Sequence, residues 1–335
     1  MRRLLIPFAY IFEIIIFIRN FLFDNQLLNV SKIKLPVISV GNITAGGTGK
    51  TPITLFLAEE AKKRGFKPAI LSRGYGRVSK GYSIIHDGLK LRETVENAGD
   101  EPFLMANKLK NVPIVVSKNR SEGANIIVNR FDSDLIILDD GFQHRRLHRD
   151  VDILLINALE KSSAYHMLPA GQLRENLKNI KRANHIIITK GLIDKIPSKV
   201  QKKIKNPILS STKYSILEND SGKSIDLNLF KSIPVFAFCG IGDSNFFLNS
   251  LKSLKVQVVD SLIFKDHVDY NKKVLQKLYS RINKLKIGAI LTTEKDLVKL
   301  PESFVKDNEI YILNMNISIP QKSVDKIFDI DFKTS

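Results

Sequence analysis

The sequence predicts an α/β fold: a mostly parallel sheet with helices on both faces, a smaller C-terminal α/β domain, and an N-terminal hydrophobic helix. Three observations carry this. From Pro36 to Thr189, short apolar runs alternate with longer polar, helix-patterned stretches, as parallel strands joined by helical crossovers do. The first of these runs feeds a glycine-rich loop that ends in Gly49-Lys50-Thr51. A second alternating block begins at Ile233, after a Lys-, Pro- and Ser-rich stretch. The divisions read from these shifts are 1–28 for the hydrophobic helix, 29–210 for the larger domain, 211–230 for an exposed linker, and 231–335 for the smaller domain with a low-complexity tail.

Taken in order, residues 4–23 are apolar apart from Glu13, Arg19 and Asn20. At about 100° per residue, Arg2, Glu13, Asn20 and Asp24 fall on one narrow stripe. That pattern suits a helix lying in the membrane interface or dipping into it with one face against protein, the alternative being a buried core helix. No small-residue cleavage site follows, which argues against a signal peptide. Next, Val37 to Val40 reads as a buried strand, and Pro52 suits the first turn of a helix that runs to a basic end capped by Gly65. Further strands are predicted at 68–72, 82–85, 113–117, 134–138, 151–156 and 185–189, and in the smaller domain from 233, near 255–259 and near 287–292. A helix is predicted near 271–284.

Strand, glycine-rich loop and helix N-terminus together make a phosphate-binding loop of the P-loop NTPase type. Thr44, Ala45, Gly46, Gly47, Thr48, Gly49, Lys50 and Thr51 are its candidate nucleotide contacts, with Lys50 reaching the phosphates and Thr51 facing Mg²⁺. The usual first glycine is replaced by Thr44. Downstream, the run 135–138 ends in Asp139-Asp140. An acid there is the second half of a nucleotide site and meets the metal directly or through water. Ser72-Arg73-Gly74-Tyr75-Gly76-Arg77 reads as a phosphate- or sugar-holding loop or as a basic turn. Asp100-Glu101 reads as first-turn capping, and His267 beside Asp266 as a satisfied histidine.

Composition narrows the field. With 52 Lys and Arg against 34 Asp and Glu, the chain carries a net charge of +18, which points to an acidic partner. A single cysteine, Cys239, precludes an intrachain disulfide. The scattered histidines show no zinc-type spacing, so no structural metal is expected. No basic stretch interleaved with aromatics suggests nucleic acid, and no obligate protein partner is implied. Thr189-Lys190-Gly191 lacks the acid of a guanine-reading motif, which favours ATP.

The ordered set Gly41 to Pro52, Ser72 to Arg77, Gly99-Asp-Glu-Pro102, Asp139-Asp-Gly-Phe-Gln-His-Arg-Arg146, Leu173-Arg-Glu175, Phe264 to His267 and Thr292 to Asp296 resembles the tetraacyldisaccharide 4'-kinase family. Thr44 agrees with that family's own loop. The resemblance implies an ATP- and Mg²⁺-dependent kinase that phosphorylates the 4'-hydroxyl of tetraacyldisaccharide 1-phosphate in lipid A biosynthesis. It would be attached to the cytoplasmic face of the bacterial inner membrane by its N-terminal helix. It further implies Asp100 and His267 as the pair that accepts the sugar proton, with Lys50 also catalytic. Thr51, Asp139, Asp140 and Glu101 would serve as metal ligands. Arg73, Tyr75, Arg77, Arg120, Gln143, His144, Arg174 and Glu175 would face the substrate. The alternative reading is a soluble ATP-dependent enzyme of the same broad fold acting on a small metabolite.

Overall fold

The computed structural model describes residues 2–218 and 224–329. A helix of 19 residues, α1 (Ile6–Asp24), opens the fold. The first sheet and its helices follow: β1 (Val37–Asn42), α2 (Lys50–Lys63), β2 (Pro68–Ser72), β3 (Tyr82–Asp87), α3 (Asp100–Lys108), β4 (Pro113–Ser117), α4 (Arg120–Arg130), β5 (Leu135–Asp139), β6 (Val151–Asn157), β7 (His185–Thr189) and β8 (Ile208–Leu209). The second comprises β9 (Ser211–Glu218), β10 (Val235–Cys239), α5 (Ser244–Ser253), β11 (Val258–Ile263), α6 (Lys272–Ile282), β12 (Ala289–Thr293) and β13 (Ile310–Ser318), and α7 (Gln321–Phe328) ends the described chain.

The first sheet runs β3-β4-β2-β5-β1-β6-β7-β8. All its pairs are parallel except β3 with β4. Its strands are apolar almost throughout because both faces are covered. Ile38 and Val40 pack with Leu57 of α2 on one face, while Val37, Leu71 and Leu138 meet Ala124 and Ile127 of α4 on the other. A third cluster joins Leu154 and Ile188 to Phe142, Leu173 and Ala9 of α1. Since β1 lies between β5 and β6, the loops after β1 and β5 open side by side at the carboxyl edge, where ligands bind in such sheets.

The second sheet runs β11-β10-β12-β13-β9, with only β9 antiparallel. This corrects three sequence expectations. Residues 211–218 are an edge strand paired with β13 from Ser211 opposite Ser318 to Glu218 opposite Tyr311, not part of an exposed linker. Their polar composition hides an edge strand, which needs little apolar signal. The strand expected near 255–259 begins later, at Val258, because Lys255 turns with φ +59° to close α5. The expected low-complexity tail contains β13 and α7, and α7 returns to the first domain. There Val324, Ile327 and Phe328 are buried in the core beside α2, Phe328 stacks on Phe66, and Arg64 pairs with Asp325 at 2.7 Å. The smaller domain is therefore not the whole of 231–335. The last residues of the tail, 330–335, lie outside the described residues.

Candidate active site

A cavity of about 1000 Å³ opens between the carboxyl edges of the two sheets. Its floor is the phosphate loop. Gly49, at φ +84°, turns the chain into α2 so that Lys50 and Thr51 begin the helix. Asn42, at the end of β1, holds the loop closed: its side-chain amide donates to the Thr44 carbonyl at 2.7 Å and to Thr48 Oγ1 at 2.9 Å. From β7, Thr189 Oγ1 donates to the Thr48 carbonyl at 2.9 Å.

The turn after β5 crosses close over the end of β1. A Cβ on Gly41 would lie 2.6 Å from the Phe142 amide nitrogen, so only glycine fits there. Asp139 is buried and accepts from Ser72 Oγ at 2.8 Å and Thr54 Oγ1 at 3.4 Å. Burial, then the charges of Glu101 and Asp140, push its carboxyl up to about 6. Asp140 takes the left-handed conformation, φ +50°. It lies 3.5 Å from Lys50 Nζ and 2.9 Å from Arg174 Nη1. Burial opposes its charge, but Lys50 and Arg174 hold its carboxyl below the usual range.

Across the cavity, Asp100 opens α3 after Gly99, and His267 follows β11 from the other domain. His267 Nδ1 and Asp100 Oδ2 are 2.9 Å apart, and Lys299 Nζ is 3.4 Å from the same oxygen. Burial opposes the Asp100 charge; the His267 hydrogen bond and the Lys299 and Lys295 cations outweigh it, leaving the carboxyl below its ordinary range. Tyr75 lies against the His267 ring at 5.2 Å. The site thus offers a cationic cradle for phosphates, a nest of carboxylates beside Thr51, and a cross-domain carboxylate–imidazole pair. Phosphoryl transfer needs this equipment, since its catalysis is positioning and charge neutralisation.

A family model described as Tetraacyldisaccharide-1-P 4'-kinase matches residues 1–331. The tetraacyldisaccharide 4'-kinase of Aquifex aeolicus is 37% identical over 324 residues, covering 96% of each chain. That of Chlorobium limicola is 38% identical, over 89% of this chain and 86% of its own. A crystal structure of LpxK from Aquifex aeolicus in complex with ATP superimposes with a TM-score of 0.80 at 35% identity, covering 98% of each chain. The chain belongs to the tetraacyldisaccharide-1-P 4'-kinase family.

In this 4'-kinase, the residues expected at the site divide into two groups. Gly46 to Thr51, Arg73, Tyr75, Glu101, Asp139, Asp140, Arg174 and His267 line the cavity, and Asp100 meets it through His267. The second group is set off the wall. Thr44 and Ala45 pair with Leu173 and Gln172. Arg77 is turned along its own loop, bonding Ser79 Oγ and the Gly81 carbonyl. Arg120 is buried, with Nη1 donating to the Ser117 carbonyl at 2.5 Å. Burial lowers its pKa to about 10, so it still adds positive charge toward Asp139 and Asp140 at neutral pH. Burial first, then Arg120, pull His144 down to about 4, so it is neutral. Gln143 braces the Asn42 carbonyl at 2.8 Å, and Glu175 is fully buried under α1. Gln143 and Glu175 spend their polar groups on internal partners, whereas Arg120 Nε and Nη2 are buried without one.

Sequence reasoning gave no role to several groups at or beside the cavity. Lys299 lies 3.4 Å from Asp100, and Lys295, within the Thr292 to Asp296 motif, lines the cavity and pairs with Asp266 at 3.1 Å. Lys190 pairs with Asp243 at 2.6 Å across the domains and stacks over Phe246 at 4.4 Å. The Thr189-Lys190-Gly191 step marked Lys190 as lying past a strand, but nothing in sequence marked Asp243.

Proposed function

We propose that this kinase transfers the γ-phosphoryl group of ATP to the 4'-hydroxyl of tetraacyldisaccharide 1-phosphate, working on the cytoplasmic face of the bacterial inner membrane. The observation that carries the reading is the 2.9 Å contact between Asp100 and His267, made from two domains into the cavity that holds Lys50 and Asp139.

Incoming phosphates would displace Asp140 and Asn42 as partners of Lys50, now 3.5 Å and 3.4 Å away, and accept hydrogen bonds from the loop amides. Asp100, held ionised, and His267 would orient the sugar hydroxyl and take its proton, an effect of about 10²–10⁴-fold in such systems. Thr51, Asp139, Asp140 and Glu101 line the cavity and are the oxygen donors that would hold a magnesium ion, although among the described residues no three carboxylates stand close enough to form a ready-made metal cluster. Held there, the ion would supply positive charge against the negative charge that develops on the transferring phosphoryl group.

The acceptor's acyl chains favour the bilayer by about 0.8 kcal/mol per CH₂, so the enzyme must come to the membrane. The helix α1 suits that task. Leu4, Phe8, Ile11, Ile15 and Ile18 are exposed along the N-terminal segment, and α1 is long and apolar enough to enter a bilayer. Its polar stripe (Glu13, Asn20, Asp24) faces the body, which favours a helix lying in the interface.

The test is purified full-length chain with ATP, Mg²⁺ and radiolabelled tetraacyldisaccharide 1-phosphate in detergent. A bisphosphorylated lipid is expected, with Lys50→Ala and Asp100→Ala each lowering kcat by roughly 10²-fold or more. ATP hydrolysis with the lipid unmodified would overturn the acceptor assignment.

A further inference from the structure

The buried side of α1 meets a polar cluster centred on Glu175. Arg19 Nη2 and Asn20 Nδ2 reach its carboxylate from α1 at 3.1 Å and 3.0 Å. Asn179 Nδ2 and Arg182 Nη2 reach it from the body at 2.9 Å and 3.2 Å. On either side, Asn176 donates to Glu13 at 2.5 Å, and Arg145 donates to Asp24 at 2.7 Å and to the Asn20 carbonyl at 3.1 Å. A hydrophobic helix can be fastened by apolar contact alone. A fully buried carboxylate with two guanidinium partners is costly unless the geometry is held, so this cluster specifies where α1 sits.

The segment that carries Glu175 also carries the phosphate loop on its other side. The Arg174 amide donates to the Ile43 carbonyl at 2.7 Å, and the Gln172 carbonyl accepts from the Ala45 amide at 2.7 Å. Leu173 bridges Thr44. The Arg174 side chain grips Asp140, which pairs with Lys50. Neighbours in sequence thus point opposite ways, Arg174 into the cavity and Glu175 under α1. A parallel route runs from Arg145, bound to α1, to Gln143, which donates to the Asn42 carbonyl and accepts from Arg174 at 3.3 Å.

We propose that Glu175 is a positioning residue for phosphoryl transfer: through it, seating α1 on a lipid surface sets the phosphate loop and the Arg174–Asp140–Lys50 chain in working register. The inference rests on the lipid-kinase reading above. It makes α1 a determinant of turnover as well as of location, because 172–175 links it to the loop by short, directional bonds.

The experiment compares the full-length chain with Arg19→Ala and Glu175→Gln on vesicles of anionic phospholipid carrying tetraacyldisaccharide 1-phosphate. Both substitutions leave the bare apolar face of α1 intact. Vesicle co-sedimentation and KM for the lipid are expected to stay within about twofold, while kcat falls roughly tenfold to a hundredfold. Arg19→Lys should restore part of the loss. An unchanged kcat at saturating lipid overturns the proposal, and so does a parallel loss of vesicle binding, which would make the cluster a fastening only. Should Glu175→Gln fail to fold, Arg19→Ala decides, since the Arg19 side chain is 30% exposed. An unsubstituted chain that phosphorylates no lipid would instead bring down the preceding reading, and this inference with it.

Discussion

Burial of the Asp139 carboxyl ties its protonation to stability and, on the metal reading proposed above, to magnesium binding. Its folded pKa of about 6 lies above its ordinary 3.8. Between these values the native state binds more protons than the unfolded state. The stability contributed by this group is therefore fully present below the lower value and is lost as pH rises through the higher one in metal-free protein. On the proposed metal reading, Mg²⁺ affinity would run the other way, because the metal would need the carboxylate. Calorimetric titration of the nucleotide-loaded chain from about pH 5 to about pH 8 should show affinity rising through about 6 and levelling above it; a flat profile would contradict this. Asp139, Lys50 and Thr51 were legible in the sequence because strand, loop and acid fall in a recognisable order. Lys299 and Lys295 were not. A lysine in a short polar segment reads as a solvated charge until another element brings Asp100 to it.

At the scale of elements, Gly99 is the joint on which the Asp100 carboxylate hangs. It adopts φ +85° between a short helix (Val95–Ala98) and α3, and a Cβ there would lie 2.7 Å from the Tyr75 carbonyl oxygen. Gly99→Ala is expected to cost about 1–3 kcal/mol and to lower kcat by shifting Asp100 away from His267, as read from urea denaturation and steady-state kinetics. Wild-type kcat in a destabilised variant would mean the α3 N-terminus re-forms without it. The sequence supplied the glycine before two acids but read those acids as caps. Periodicity located most strands of the first sheet to within a residue or two. It did not find β9, whose Lys213 and Ser215 side chains give little apolar alternation, because an edge strand is held by backbone pairing with β13.

For the whole molecule, the chain closes on itself twice. The C-terminal helix α7 completes the core of the first domain, where Phe328 stacks on Phe66 and lies under Arg64. Phe328→Ala is expected to cost about 3–5 kcal/mol and to lower the unfolding transition of the nucleotide-binding domain. Tryptophan substitutions placed separately in each domain would report which one melts early; loss confined to the second domain would refute the packing argument. The second closure is polar. Asp100 with His267, and Lys190 with Asp243, join the two domains over one cavity.

Local sequence determined the strand–loop–helix phosphate site, the acid at the end of β5, the parallel architecture and the apolar N-terminal helix. Each rests on residues within a few positions of one another and on backbone rules that act at that range. Tertiary structure decided the rest. It brought Asp100 to His267 across 167 positions, and it turned Glu175 and Gln143 from candidate substrate contacts into braces between α1 and the phosphate loop. It also returned the C-terminus to the first core. The physical reason is that a charged side chain's role depends on which partner reaches it first, and those partners come from distant elements whose arrangement depends on packing.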